Sequence, residues 1–405
     1  MAVLKNIVRG VSSVRSAESV LRGHIKVFGP VPVASYMKEC LSNGKDGYYM
    51  TRNVFGHDGD FVTSPEISQV FGELVGIHFV NQWQQFPSKH STVDLIELGP
   101  GRGTLMADIL KIFNRIPQMS NKVNVHFVEM SPFLAKTQAQ TLGVTQPNEE
   151  APTEEGTSVT RQTPAGVNVQ WYRKFEDIDI KGFPMIVAHE FLDALPVHQF
   201  VYTRDGWRER MIGLDDKDKF QWVLAPSATA SSRSLGPSGK YKEGDVYEVS
   251  PDSLHTAHQI AQAVKDDGMA LIVDYGNKEP KRTPTVRGYK AHVMIEDIVE
   301  HEPGEIDLTA DVSFQAVAKV CSDTCATYGP MSQGDWLRQM GIHTRTKQMV
   351  QSSQTREEQV KIIRSTKRLI DNEGMGSLFQ FLSLVPISVD PPFPFVKANS
   401  CTAPL

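Results

Sequence analysis

No apolar run in this sequence approaches the roughly twenty residues that a bilayer-spanning helix needs. Cysteine is scarce. Cys40, Cys321, Cys325 and Cys401 form no Cys-x-x-Cys pair, so neither a zinc ribbon nor a disulfide scaffold is suggested, and a reducing compartment is the simplest expectation. No metal-ligand constellation is visible. A positive charge excess is also missing. The formal net charge of −5 and pI near 6.2 argue against a broad nucleic-acid-binding surface, while leaving room for a local basic patch. What is present is ordinary for a soluble enzyme: 40% apolar and 22% charged residues in 405. That length allows one large α/β domain with insertions, or two domains.

The first segment differs from the rest. Lys5, Arg9, Arg15, Arg22 and Lys26 face one acid, Glu18, and serines recur at Ser12, Ser13, Ser16 and Ser19. Basic, serine-bearing and acid-poor is the profile of a mitochondrial transit peptide, expected over residues 1–25. The alternative is a basic first helix of the mature protein, to which Arg22 to Lys26 would already belong.

The remainder alternates helix and strand. Residues 26–90 read as an N-terminal helical cap. Within it a helix-like run from Val33 to Leu41 follows Gly29-Pro30-Val31-Pro32, and a glycine- and acid-rich loop spans Gly56 to Phe61. Thr63-Ser64-Pro65-Glu66 resembles a helix start, continuing at helical spacing through Val70, Phe71, Leu74, Val75 and Phe79. Residues 91–197 and 251–390 read as two parts of one α/β core. Its strands are expected at Val93–Leu98, Val123–Glu129, Val167–Tyr172, Met185–His189 and Ala270–Asp274, a rhythm that implies a doubly wound sheet. Residues 198–250 carry alternating runs broken by turn signals and read as inserted β-hairpins. Residues 145–166 read as a flexible surface loop, and 391–405 as a tail.

The strongest motif is Glu97-Leu98-Gly99-Pro100-Gly101-Arg102-Gly103-Thr104, an apolar strand that ends in an acid and enters Gly-x-Gly-x-Gly. Glycines let the chain turn sharply and approach a ligand without Cβ interference, at the strand end where open α/β sheets bind ligands. The dinucleotide fingerprint places its third glycine one residue later. A pyrophosphate also favours uncompensated backbone N–H groups, whereas here an acid precedes the turn. Glu129, at the end of the second strand, is a second acid that suits a ribose diol. Carboxylates beside a glycine turn suit S-adenosylmethionine, which has no phosphate but carries a sulfonium, an ammonium and ribose hydroxyls. Glu97, Gly99, Gly101, Gly103, Thr104 and Glu129 are the cofactor candidates. Thr63 and Ser64 either cap their helix, contact the cofactor, or do both.

A series of motifs carries a resemblance: Gly29-Pro30-Val31-Pro32-Val33, Gly47-Tyr48-Tyr49, Asp60-Phe61-Val62-Thr63-Ser64-Pro65-Glu66, Phe71-Gly72-Glu73, Glu97 to Thr104, Glu129-Met130-Ser131-Pro132, Glu190-Phe191-Leu192-Asp193-Ala194-Leu195-Pro196, Asp274-Tyr275-Gly276 and Asp307-Leu308-Thr309-Ala310-Asp311-Val312. In this order, from about residue 26 to 387, the chain resembles the MidA family. One departure is His189, where the family pattern leads us to expect asparagine. The resemblance implies a Rossmann-like class I methyltransferase core. It also implies the activity of the family's mitochondrial members: S-adenosylmethionine-dependent methylation of protein arginine in complex I assembly, with a protein substrate and symmetric dimethylation.

An arginine acceptor sets chemical demands. Guanidinium is charged at physiological pH and is best oriented by carboxylates, and a base must take the departing proton. Glu190 and Asp193 follow the fourth strand, so they open on the same crevice as Gly99. On a helical turn they would share a face. Glu190 is expected to engage the guanidinium and Asp193 to support the site, or else to cap local backbone. Glu66 and Glu73, seven residues apart on one expected helix, are further acidic candidates. His57 and His189 are candidate bases. Trp171 and Phe175 mark either an adenine seat or core packing. Competing functions are a nucleotide-dependent oxidoreductase, a non-catalytic assembly chaperone retaining the cofactor fold, and a small-molecule methyltransferase.

Overall fold

The computed structural model describes residues 15–50, 62–86, 90–120, 122–144, 160–279 and 281–395. The Gly56–Phe61 loop with His57, residues 1–14, most of the 145–166 segment, and Cys401 lie outside the described residues. Among the described residues a nine-stranded sheet forms the core. Its parallel part runs in the spatial order Met269–Asn277, Phe183–His189, Val93–Leu98, Val123–Val128, Asn168–Tyr172. In sequence the chain starts at Val93–Leu98, moves outward to one side, then returns to build the other side. The order therefore reverses next to Val93–Leu98, and ligands bind in open α/β sheets at such a reversal.

Both faces of the central strand are covered, so all six of its residues are buried. Leu95 packs with Phe71, Phe79, Leu105 and Ile109 on one face, under the helices Gln69–Trp83 and Thr104–Phe113. Ile96 and Leu98 pack with Ile186, Ile260 and Phe314 on the other, under Pro251–Val264 and Phe314–Cys321. The period-two alternation that separates Leu95 from Ile96 places Glu97 on the Leu95 face. The sheet is not purely parallel. Phe379–Val385 pairs antiparallel with Met269–Asn277, and Ala326–Ser332 pairs antiparallel beyond it.

The two segments that the sequence suggests as cap and insertion are built into one another. Val31–Pro32 pairs antiparallel with Met211 and Ile212 of Gly206–Leu214, a strand of the inserted meander. Tyr36, Met37 and Cys40 pack with Ile212 and Phe220 in one apolar cluster. The first described helix is Ala17–Phe28, capped by Ser16, with Ala17, Leu21 and Ile25 buried. Ala17 N–H donates to Asp46 Oδ1 at 2.8 Å, and the Arg22 guanidinium lies 4.5 Å from the Phe220 ring centre. The leader boundary expected at residue 25 falls inside this packed helix.

The helix expected from Ser64 through Phe79 is two. Ser64–Ile67 is a single turn, and Gln69–Trp83 starts afresh after Ser68, which is extended (φ −159°, ψ 131°) and caps Val70 N–H at 3.4 Å. Buried Ser64 donates to Gln333 Oε1 at 3.1 Å, which anchors the short turn to a distant helix. Glu66 and Glu73 consequently do not share one helix face.

Candidate functional site

The glycine turn is set by left-handed backbone. Gly99, Gly101 and Gly103 have φ of 62°, 52° and 81°, a region costly for side-chain-bearing residues. Space adds a second constraint at Gly99. A Cβ there would lie 2.7 Å from Phe191 Cδ2, so the turn and the Glu190 segment touch only because the side chain is absent. A cleft opens above the turn, lined by Thr63, Glu66, Glu97, Gly99, Gly101, Arg102, Thr104, His189 and Glu190. It continues into a larger cavity through Gly99, Gly101 and Glu190, whose further lining includes Tyr49, Glu129, Met130, Phe191 and Leu195. Ser64 lies behind its Thr63 and Pro65 neighbours, with its hydroxyl turned to Gln333.

Acids dominate the floor. Glu97 is 3% exposed, and its Oε2 has no hydrogen-bond partner. Burial alone holds its carboxyl well above the usual range. Glu129 is better held: Oε1 accepts from Ser131 N–H at 2.7 Å and Oε2 from the Gln138 amide at 2.9 Å. Burial nevertheless pushes it up to about 7 against those bonds. Gln138 is the hub of this corner. Its amide also donates to Gly101 O at 2.9 Å, and its Oε1 accepts from Trp171 Nε1 at 2.9 Å. Trp171 is therefore core, with its ring N–H satisfied internally. Glu66 clamps the turn from the other side, accepting from the Thr104 hydroxyl and standing 3.6 Å from Arg102 Nη1.

The Glu190 segment is not a helical turn. Glu190 itself is left-handed, with φ of 50°, a conformation that costs a non-glycine residue on the order of 1–3 kcal/mol. Asp274 holds it there. Asp274 Oδ2 accepts from Phe191, Leu192 and Asp193 N–H at 3.2, 2.9 and 3.3 Å, and Oδ1 accepts from Tyr275 N–H at 2.8 Å. Asp193 turns inward, accepting from the Thr309 hydroxyl at 2.7 Å. Burial raises both Asp193 and Asp274, and the charge of each neighbouring acid adds to the rise at Asp274. Glu190 faces the cleft with Oε1 unpartnered. Burial first, then the neighbouring Asp193 charge, hold it well above the usual carboxylate range. His189 Nε2 is 3.5 Å from that oxygen, but burial lowers His189 to about 3, so the ring is neutral and packs on Phe379 and Phe71.

Sequence-level expectation and geometry agree unevenly. Thr63, Glu66, Glu97, Gly99, Gly101, Thr104, Glu129 and Glu190 meet around one continuous cavity, and Gly103 starts the helix beneath it. Glu73 does not join them. It is buried against Arg345, with both oxygens taken at 2.6 and 2.9 Å, so it fastens the core to the helix Ile342–Ser352. Asp193 supports rather than lines the cleft. Gln138, Asp274, Thr309 and Gln333 were not anticipated. Asp274, an acid ending an apolar strand, and Thr309 had a signal, since both lie in motifs of the family resemblance.

The cleft fits a ligand that brings positive charge and hydroxyl donors. Its buried carboxyls offer acceptors, and Glu97 Oε2 and Glu190 Oε1 are unsatisfied by protein. Residues 74–331 match a protein family described as "Putative S-adenosyl-L-methionine-dependent methyltransferase". The chain is 38% identical over 371 residues to the human "Protein arginine methyltransferase NDUFAF7, mitochondrial", covering 89% of this chain and 81% of that protein. It is 40% identical over 383 residues to the Drosophila melanogaster homolog, covering 90% and 84%. A solved Burkholderia thailandensis structure bound to S-adenosyl-homocysteine shares the fold, with a TM-score of 0.75 and 23% identity over 95% of this chain and 96% of that one. The chain thus belongs to the MidA family of S-adenosyl-L-methionine-dependent methyltransferases, together with the mitochondrial NDUFAF7 proteins.

Proposed function

We propose that this chain methylates a guanidinium nitrogen of an arginine in a mitochondrial matrix protein, a complex I subunit during assembly, with symmetric dimethylarginine as product. The observation that carries this reading is Glu190, a cleft-facing carboxyl with an unpartnered oxygen, fixed beside the glycine turn by a strained backbone. The relatives' name, protein arginine methyltransferase, supports the acceptor. When bound, S-adenosylmethionine supplies an electrophilic methyl on a sulfonium.

The chain's residues divide the remaining work. Glu97 and the Gly99–Gly101 backbone would hold the donor's charged end, and Glu129 would hold its ribose hydroxyls. Burial holds the Glu190 carboxyl above the usual carboxylate range, which favours its protonated form. A guanidinium entering beside it favours loss of that proton, and the resulting carboxylate orients the acceptor through charge-assisted hydrogen bonds. The same carboxylate is placed to take the proton that the substituted nitrogen sheds. The Asp274–Asp193 pair keeps the turn in position without touching the acceptor. A leader that ends before Ala17 fits the packed first helix, and residues 1–35 fused to a fluorescent protein test its direction to mitochondria. The decisive experiment adds radiolabelled donor and purified protein to mitochondrial lysate from cells lacking it, followed by peptide mapping. Label on arginine is expected. Label confined to small molecules, or none, overturns the reading.

A further inference from the structure

The helix Arg356–Ile370 carries an exposed cationic face. Arg356, Lys361, Arg364 and Arg368 are exposed and make no side-chain ion pair among the described residues, whereas Lys367, which does not border the groove, pairs with Asp371 at 3.6 Å. The helix does not need these cations to form. Thr355 and Glu358 close its start in a reciprocal capping box, and Thr366, Leu369 and Ile370 bury its inner side. Lys361, Arg364 and Arg368 repel one another at spacings of three and four residues, a repulsion that Glu357, four residues before Lys361, and the last-turn position of Arg368 offset in part. The four cations border a groove whose opposite wall is Val62, Glu66 and Ile67. Glu66 also lines the cleft, where it accepts from the Thr104 hydroxyl. Groove and cleft therefore meet at one residue.

We infer that this groove docks an acidic, apolar-dotted segment of the acceptor polypeptide, flanking the side chain presented to Glu190. The inference rests on the protein-methylating reading above. Carboxylates on the partner complement Lys361, Arg364 and Arg368, and its apolar residues meet Val62, Ile67 and Val360, which is 37% exposed. A nucleic-acid backbone fits worse, because Val62, Ile67 and Val360 offer nothing to a continuous row of phosphates, whereas a peptide can set apolar residues between its carboxylates and hold these clear of Glu66 and Glu357.

The test uses the full chain and a short dye-labelled peptide of Asp, Glu and Leu, read by fluorescence anisotropy. Polyuridylate and phosphatidylglycerol vesicles are the comparison probes. Wild type is expected to bind the peptide in preference to both, more weakly as salt rises. Lys361→Glu with Arg364→Glu is expected to weaken the peptide by about tenfold or more, while S-adenosylhomocysteine affinity stays unchanged. In transfer assays the double variant raises KM for lysate protein and leaves labelling of a short arginine peptide without acids unaltered. Equal peptide binding by wild type and variant, no binding by wild type, or a preference for RNA or vesicles overturns the inference. If wild type labels no arginine, the arginine reading fails, and the anisotropy result still decides the groove.

Discussion

The two ends of the cleft are built by different means. The end proposed for the donor is mostly local: strand, glycine turn and helix follow one another from Leu95 to Phe113, with Glu129 added from the end of the next strand and held by Gln138. The acceptor end is assembled from afar. Glu190 stands at the end of one strand, its turn hangs on Asp274 at the end of the next, Asp193 is met by Thr309, and Ser64 N–H approaches the Glu190 carboxyl from the N-terminal segment. A local site survives wherever its own few residues fold. A site assembled from afar depends on buried polar groups whose loss is felt in stability as well as in chemistry.

The sharpest way to break that contrast is Asp274→Ala. It leaves the Phe191, Leu192 and Asp193 N–H groups without their acceptor in a buried turn, at a cost of about 1–3 kcal/mol per orphaned group. Chemical denaturation should show a loss of several kcal/mol, with turnover collapsing in the protein that remains folded. An unchanged denaturation midpoint would mean that Asp274 does not organise the turn.

A gentler change separates chemistry from folding. Glu190→Gln keeps size but exchanges one acceptor oxygen for a donor and removes the charge. A hydrogen bond to a charged group contributes about 1.5–3 kcal/mol, which corresponds to about one to two decades in rate. Single-turnover rates should fall by that much while the donor dissociation constant holds. Transfer at the wild-type rate would remove Glu190 from the acceptor, leaving Glu66 as the remaining cleft-lining candidate acid. Gly101→Val does the reverse. Gly101 lines both parts of the cleft, so a branched side chain there occupies the ligand's approach path, and calorimetry on folded protein should show S-adenosylhomocysteine binding abolished.

The same contrast explains what could be learned from the chain alone. The five parallel strands and the glycine turn were legible because apolar runs, turn glycines and strand-end acids are local signals. Glu97 and Glu129 followed from strand ends in the same way. The break at Ser68 was not legible. Ser64-Pro65-Glu66 and the apolar spacing after it are both good helix signals, and only the anchor to Gln333 shows where one stops. Glu73 was misplaced for the same reason, since its partner Arg345 lies 272 residues away. Gln138 carries no signal at all: a glutamine in a polar helix becomes a hub only once three strands converge on it.

The smallest expected effect is a pH dependence at the donor end, and its sign can be worked out. Burial, outweighing the bonds from Ser131 and Gln138, pushes Glu129 up to about 7, above its ordinary value of 4.5. The folded protein therefore holds this proton more tightly than the unfolded chain. Its contribution to the stability of the ligand-free protein is greatest below the ordinary carboxylate range and declines as pH rises towards 7. Donor affinity should run the other way. Hydroxyl groups donate to the ionised carboxylate, so the ionised fraction sets the affinity, and binding should strengthen by about tenfold between pH 6 and pH 8. Calorimetry in buffers of different ionisation enthalpy would detect the proton released on binding below pH 7. Glu129→Gln should flatten both profiles, with weaker binding throughout and turnover partly restored at saturating donor. A pH profile that keeps its slope in Glu129→Gln would transfer the titration to Glu97, the other buried acid of the donor end, whose carboxyl is also held high by burial.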